Sequence, residues 1–121
     1  MSKRWDEIYR RVYQEAPAVE DFFLRKYPKA FFPSGSMETE PLALGIRTVL
    51  VVENPQIDWF VIAEVVARYV RKDRYQRALA IRPHRINLDG TVSGPVSQKN
   101  RDRAIGELIS RQKARLEREA A

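Results

Sequence analysis

A mostly α-helical fold with one small β-hairpin is what the sequence predicts, on three features. Apolar residues recur at helical spacing through residues 4–26, 58–72 and 98–118. Two of these stretches start behind residues suited to cap a helix, Asp58 and Ser97. An Asp-Gly pair, Asp89-Gly90, sits between short apolar runs, the pattern of a tight hairpin near residues 85–94. At 121 residues and 44% apolar, the chain has the size of one domain and enough apolar side chains for a core.

The elements follow in order. In residues 4–26, Ile8, Val12 and Tyr13 share a face, and Ala18, Phe22 and Phe23 continue it after a kink or break expected near Pro17, whose ring removes a donor and crowds the preceding turn. The run YPKAFFPSGSMETEPL is rich in Pro, Gly and Ser and reads as a loop, with Phe31 and Phe32 anchoring it to the core. Residues 42–53 carry two conflicting signals. Thr48-Val49-Leu50-Val51-Val52 suits a strand, whereas the spacing of Leu42, Ile46, Val49 and Leu50 suits a helix. Behind Asp58 a helix runs to about Lys72, with Trp59, Ile62, Val66 and Tyr69 as its core stripe. Residues Arg74 to Leu79 form a further short helix. In the hairpin, RINLDGTVSG, Asp89-Gly90 is a type I′ pair, with Ile86 and Leu88 on one arm and Val92 on the other. Ser97 caps a last helix reaching about Arg118, with Ile105, Leu108, Ile109 and Leu116 on one face.

Charge is distributed unevenly. The chain has a formal net charge of +6, and residues 68–85, RYVRKDRYQRALAIRPHR, hold seven basic residues and one acid, Asp73. Acids and bases balance elsewhere, so the whole excess lies in one short stretch. A local basic field of that kind concentrates polyanions. On one continuous helix Arg68, Arg71, Lys72 and Tyr75 would share a stripe, with Arg74 and Arg77 beside it. Guanidinium groups suit phosphate, and an exposed tyrosine among them can stack on an unpaired base. Arg82 and Arg85 flank His84 at the start of the hairpin. Ser97-Gln98-Lys99 opens the last helix, where unpaired N–H groups favour an anion.

Other chemistries find little support. No cysteine is present, so disulfides, thiolate metal sites and cysteine nucleophiles are excluded. The single histidine, His84, leaves little for a metal site or a triad. No carboxylate pair or glycine-rich phosphate loop is visible, so no enzyme is expected. The longest apolar run, Trp59 to Ala63, is far too short to span a bilayer, and Met1 precedes charged residues rather than an apolar leader. A soluble, cytoplasmic protein is expected, without a membrane partner. No helix-turn-helix pattern with a polar recognition helix is evident, which argues against duplex DNA.

In this order and at this spacing, RYQRAL (74–79), RINLDG (85–90), Gly94 and a capped charged helix resemble the core of the ProQ/FinO RNA-chaperone domain. Upstream, YPKAF (27–31) and PLALGI (41–46) resemble the segment before that family's central helices. The resemblance spans roughly residues 20–115. It implies a compact helical domain with a small hairpin over 25–121, an N-terminal helical extension over 1–24, and a helix at 46–53 despite the β-propensity there. It also implies an RNA chaperone that is a minimal, single-domain member acting as a monomer, with no metal or organic cofactor. Its RNAs would be small regulatory RNAs and mRNA 3′ regions, bound at a stem-loop followed by a short single-stranded 3′ tail. Tyr75 matches the tyrosine of the family's RNA-binding face, Arg85 the arginine before the hairpin turn, and Ser97-Gln98-Lys99 the region that receives the RNA 3′ end. Trp59, Ala63, Ala67 and Ala43 stand where relatives usually carry basic residues. The alternative from a different class is a basic adaptor that docks an acidic protein and binds RNA only through its charge.

Overall fold

The computed structural model describes residues 3–121. Five helices and one hairpin follow each other as α1 (Lys3–Lys26), α2 (Ile46–Glu53), α3 (Trp59–Arg71), α4 (Asp73–Ile81), β1 (His84–Ile86), β2 (Val92–Pro95) and α5 (Gln98–Ala120). α1 packs on α3, α2 on α3, and α4 on both α3 and α5.

The core is largely aromatic. Phe23, Tyr27, Phe31, Tyr69 and Tyr75 are all buried and meet through a chain of tilted and edge-on contacts, the tightest being Phe31 to Tyr69 at 4.9 Å between ring centres. Such pairs add roughly 0.5–1.5 kcal/mol each beyond the area they bury. Phe31 anchors the loop after α1, as expected, and the half-buried Phe32 packs against the same cluster.

α1 does not break at Pro17. The helix runs without interruption from Lys3 to Lys26, and so across the expected boundary between residues 24 and 25. Val12 and Ala16 before the proline and Phe23 after it enter the same core, so burial on both sides holds the helical path. Pro17 is exposed, and the Tyr13 carbonyl that loses its partner belongs to a residue 61% exposed, so water can take the vacant bond. Tyr13 and Ala18 are therefore surface residues rather than part of the expected inner face. Pro17→Ala is expected to raise the unfolding free energy by about 1–3 kcal/mol, because it restores a helix bond and removes a crowded ring. Urea denaturation measures this, and an unchanged midpoint would mean the helix already relaxes around the proline at no cost.

Residues 46–53 are helical, as the family resemblance implies. One face alone is buried, through Ile46 and Leu50, while Val49 and Val52 face outward. A strand would need ladder partners along its length, and among the described residues the one sheet pairs β1 with β2. Gly45, at φ 79°, turns the chain into the helix. Asn54 ends it: its backbone N–H reaches the Leu50 carbonyl, and its fully buried amide donates to Leu50 O and Tyr27 OH and accepts from Lys26 Nζ.

Asp58 caps α3, accepting the Phe60 N–H at 2.9 Å, and also pairs with Arg11. The buried stripe of α3 is Val61, Ile62, Val65 and Tyr69, with Val66 at its margin. Trp59, expected in that stripe, is 56% exposed. The stripe is centred near Val61 and Val65, which rotates position 59 roughly a quarter-turn out of the core.

Lys72 separates α3 from α4 in extended geometry (φ −65°, ψ 144°). The Gln76 amide takes the Val70 carbonyl at 2.8 Å, satisfying an end group of α3. The expected Arg68–Arg71–Lys72–Tyr75 stripe therefore does not exist as one helix face.

β1 and β2 pair antiparallel with Arg85 opposite Gly94 and an irregularity after it. The turn differs from the expected type I′, which needs positive φ at both central residues. Only Gly90 has positive φ, 86°, and its N–H bonds to Asn87 O, giving a three-residue turn with a glycine bulge. The Asp89 carboxylate accepts from both the N–H and the hydroxyl of Thr91. Residues 41–43 lie beside β1: Ile86 N bonds Pro41 O, and Ala43 N bonds Ile86 O, both at 2.8 Å.

Ser97 caps α5, accepting the Asn100 N–H at 3.1 Å. Asp73 ties α4 to α5 through Arg111 (2.7 Å) and Arg115 (3.4 Å), and the Arg111 bond holds its carboxyl below the usual aspartate range. Ala104 is the buried residue of α5. Ile105, Ile109 and Leu116, read as an inner face, are exposed because α5 meets α4 through Arg101, Arg111 and Arg115, roughly a third of a turn away.

Candidate nucleic-acid interface

The basic residues of 68–85 separate into three environments. The first, at the end of α3, is largely neutralised. Arg68 pairs with Glu64 at 3.0 Å and lies over the Tyr13 ring. Arg71 reaches the same carboxylate at 3.5 Å, and Lys72 pairs with Glu20 at 2.8 Å. Part of the charge of the stretch is thus offset by two acids outside it, Glu64 and Glu20. Glu64 is one helical turn before Arg68 and readable by its i, i+4 spacing. Glu20 is fifty-two positions from Lys72, and only the fold brings it there. The Arg68–Glu64 and Lys72–Glu20 pairs are half-buried and Arg71 alone is exposed, so Arg71 is the cation a phosphate recruits at least cost.

The second environment is the hub formed by Tyr75 and Arg85. Tyr75, expected as an exposed stacking aromatic, is 4% exposed, with its ring edge-on to Tyr69 at 5.6 Å. Its hydroxyl accepts the Leu42 N–H at 3.0 Å, and burial raises its pKa above the usual phenol value. Arg85, expected on the surface, is 8% exposed, and its Nη1 donates to the Leu42 carbonyl at 2.9 Å. The backbone of one loop residue is thus gripped at both its N–H and its carbonyl. The physical reason is sequence-distant: Leu42 is itself a core residue, and its polar backbone needs partners that α4 and β1 supply.

The third environment is a pocket of about 270 Å³ between α4 and the loop before Pro41. Arg74, Arg77 and Arg82 line it together with Ser36, Met37 and Thr39. Arg82 Nη2 donates to Met37 O at 2.9 Å, and the Arg74 guanidinium lies 5.3 Å from the Tyr69 ring centre. Arg74 Nε and Nη1, Arg82 Nε and the Thr39 hydroxyl are buried without a hydrogen-bond partner. Each such buried group costs on the order of 1–3 kcal/mol. No carboxylate lines the pocket. The sequence reading found its arginines and missed Ser36 and Thr39, whose only signal was a polar, glycine-containing loop.

At the start of α5, Ser97 is used as the cap, Gln98 Nε2 bonds to Asp102 within its own helix, and Lys99 is exposed. Arg101, also missed in the sequence, donates to Ala80 O at 2.8 Å and Arg82 O at 3.2 Å. It thereby fixes the first turn of α5 against the end of α4, beside the arginine pocket. Among the described residues no cluster of three or more His, Cys, Asp or Glu could hold a metal, and no helix is long and apolar enough to cross a membrane.

Against known proteins, a model of the ProQ/FINO family matches residues 14–121. The crystal structure of a FinO-like RNA chaperone from Neisseria meningitidis MC58 is similar, at 30% identity and a TM-score of 0.63 over 75% of this chain and 90% of that one. A ProQ homolog from Legionella pneumophila, solved by NMR, shares the fold with the same TM-score at 21% identity, over 78% of this chain and 80% of that one. No curated protein matches the sequence.

Proposed function

For a chain that belongs to the ProQ/FinO family, we propose action as an RNA chaperone that recognises a stem-loop followed by a short single-stranded 3′ tail. The observation that carries this reading is the reach of the family match: it contains every candidate binding residue, from Arg68 to Lys99. RNA binding without catalysis is the general role of the family. The finer reading assigns the tail to the ground between α4, the hairpin start and the first turn of α5. There Arg77, Arg82 and Lys99 contact phosphates, while Tyr75 and Arg85 hold the Leu42 segment in place. The stem lies along Arg68, Arg71 and Lys72, whose pairs with Glu64 and Glu20 give way to phosphate. Recognition of the stem rests on shape and backbone, since A-form RNA hides its base edges in a deep groove. The RNAs proposed are small regulatory RNAs and mRNA 3′ ends, protected and brought into pairing with one another.

The test is binding at near-physiological salt to a terminator-type hairpin with a 3′ oligo-U tail, beside the same hairpin without its tail and one with its 3′-hydroxyl blocked. Phosphate contacts of the kind proposed make the loss for both altered RNAs about 10- to 100-fold. Equal, salt-sensitive affinity for all three would overturn the 3′-end reading and leave a general polyanion surface. One observation favours the adaptor reading: Ile109 and Leu116 leave an apolar face of α5 exposed near its end. An adaptor would show that equal affinity.

A further inference from the structure

We propose that the pocket enclosed by Arg74, Arg77, Arg82 and Thr39 is a phosphate-binding site, in which the guanidinium groups grip one phosphate group from the side of α4. The identification of that phosphate as part of an RNA strand rests on the function proposed above; the site itself does not.

Three independent observations meet here. First, three guanidinium groups line a space with no carboxylate among its walls. The acids nearest in sequence are accounted for: Asp73 is held by Arg111 and Arg115, and neither Glu38 nor Glu40 bonds to any of the three arginines. Second, four polar atoms at this one place are buried without partners: Nε and Nη1 of Arg74, Nε of Arg82 and the hydroxyl of Thr39, a residue only 4% exposed. Buried polar groups are nearly always paired, so such a concentration marks a place that a ligand completes. A tetrahedral oxyanion offers several acceptors at once and matches the planar fork of arginine. Third, the fold prepares the geometry. Arg74 is laid on the Tyr69 ring, Arg82 is tied to the Met37 carbonyl, and Arg101 holds the Arg82 backbone. Arg77 is exposed at the rim and is the natural first contact. The unpaired atoms are covered as the pocket stands, so a phosphate seats as the 35–39 loop swings outward.

The volume of about 270 Å³ fits a phosphate with an attached sugar. Two sources carry that chemistry, an RNA phosphodiester and free inorganic phosphate, and two measurements separate them. In the first, inorganic phosphate is titrated into the wild-type chain at constant ionic strength, and the Nε–H signals of Arg74 and Arg82 are followed by NMR. Both are expected to shift and saturate, and neither to do so in the double variant Arg77→Gln, Thr39→Val. That variant removes an exposed charge and an unpartnered hydroxyl, and its retained dispersion of backbone signals confirms folding. In the second, the hairpin with its 3′ tail is bound over a salt series. The double variant is expected to bind about 5- to 30-fold more weakly, with the salt slope reduced by about one unit.

Saturable shifts with the weaker, shallower RNA binding support the site and assign it to an RNA phosphate. Saturable shifts with unchanged RNA binding support the site and assign it to free phosphate. Absence of saturable shifts together with an unchanged salt slope overturns it. If the wild type binds phosphate here but no RNA at all, the site stands and the RNA-chaperone reading falls.

Discussion

Arg85→Ala is expected to lower the unfolding free energy by roughly 2–4 kcal/mol, far more than truncation of a surface arginine. Arg85 is 8% exposed, and its Nη1 donates to the carbonyl of Leu42. Truncation leaves that carbonyl without its partner and opens a cavity beneath the hairpin. Leu42 also connects outward, because Pro41 and Ala43 on either side of it bond to the backbone of Ile86 in β1. Loosening Leu42 therefore loosens the seat of the hairpin and, with it, the approach to the proposed RNA surface. Urea denaturation gives the stability. RNA binding is then compared at a temperature where both proteins remain folded. A variant that unfolds at the wild-type urea midpoint would show that the Leu42 grip carries no fold energy. Loss of RNA binding in such a variant would return Arg85 to the role of a plain surface contact.

Local features of this chain were legible where the deciding physics is local. Asp58 and Ser97 cap their helices, as their side-chain chemistry and position indicate. Gly90 turns the hairpin, although Asp89 has negative φ and the turn is a bulged three-residue one rather than type I′. For residues 46–53 the β-branched run and the helical spacing conflicted, and burial of only Ile46 and Leu50 decides for the helix. What stayed hidden depends on contacts between distant segments. Pro17 looks like a breaker until Val12, Ala16 and Phe23 are seen to share one core. A basic stretch with a single acid looks unpaired until Glu20 arrives beside Lys72.

The candidate site divides along the same line. The identities of Arg74, Arg77 and Arg82 were readable as a concentration of charge, because charge is counted from sequence. Burial is not: Tyr75 and Arg85 carry polar groups that are common on surfaces, and each is drawn inward by a backbone group of Leu42. Trp59 moved in the opposite direction, out of the core, because a stripe called from spacing has a phase uncertain by a fraction of a turn. Ser36 and Thr39 were invisible as site residues since nothing in their own loop shows which helix it lies against.

The Tyr75 series separates fold from recognition at the same hub. Tyr75→Phe keeps the ring against Tyr69 but removes the hydroxyl that accepts the buried Leu42 N–H. Its expected cost is about 1–3 kcal/mol, the penalty for one buried donor left unpaired. Tyr75→Ala also removes a ring buried among core aromatics, for a total of about 3–5 kcal/mol. Had the ring been a free platform for an RNA base, neither change would touch stability, and alanine alone would abolish stacking. The buried ring reverses that order of effects: both variants melt earlier, alanine more so, and Tyr75→Phe binds the tailed hairpin within about threefold of wild type once folded, a difference of ~0.7 kcal/mol. Denaturation and RNA titration on the same samples decide between the two. A Tyr75→Ala protein of wild-type stability that no longer binds the tail would place the ring in contact with RNA and contradict the packing. Graded loss of stability with binding kept by phenylalanine would make Tyr75 a support for the Leu42 segment, leaving the arginines of α4 and Lys99 to hold the strand.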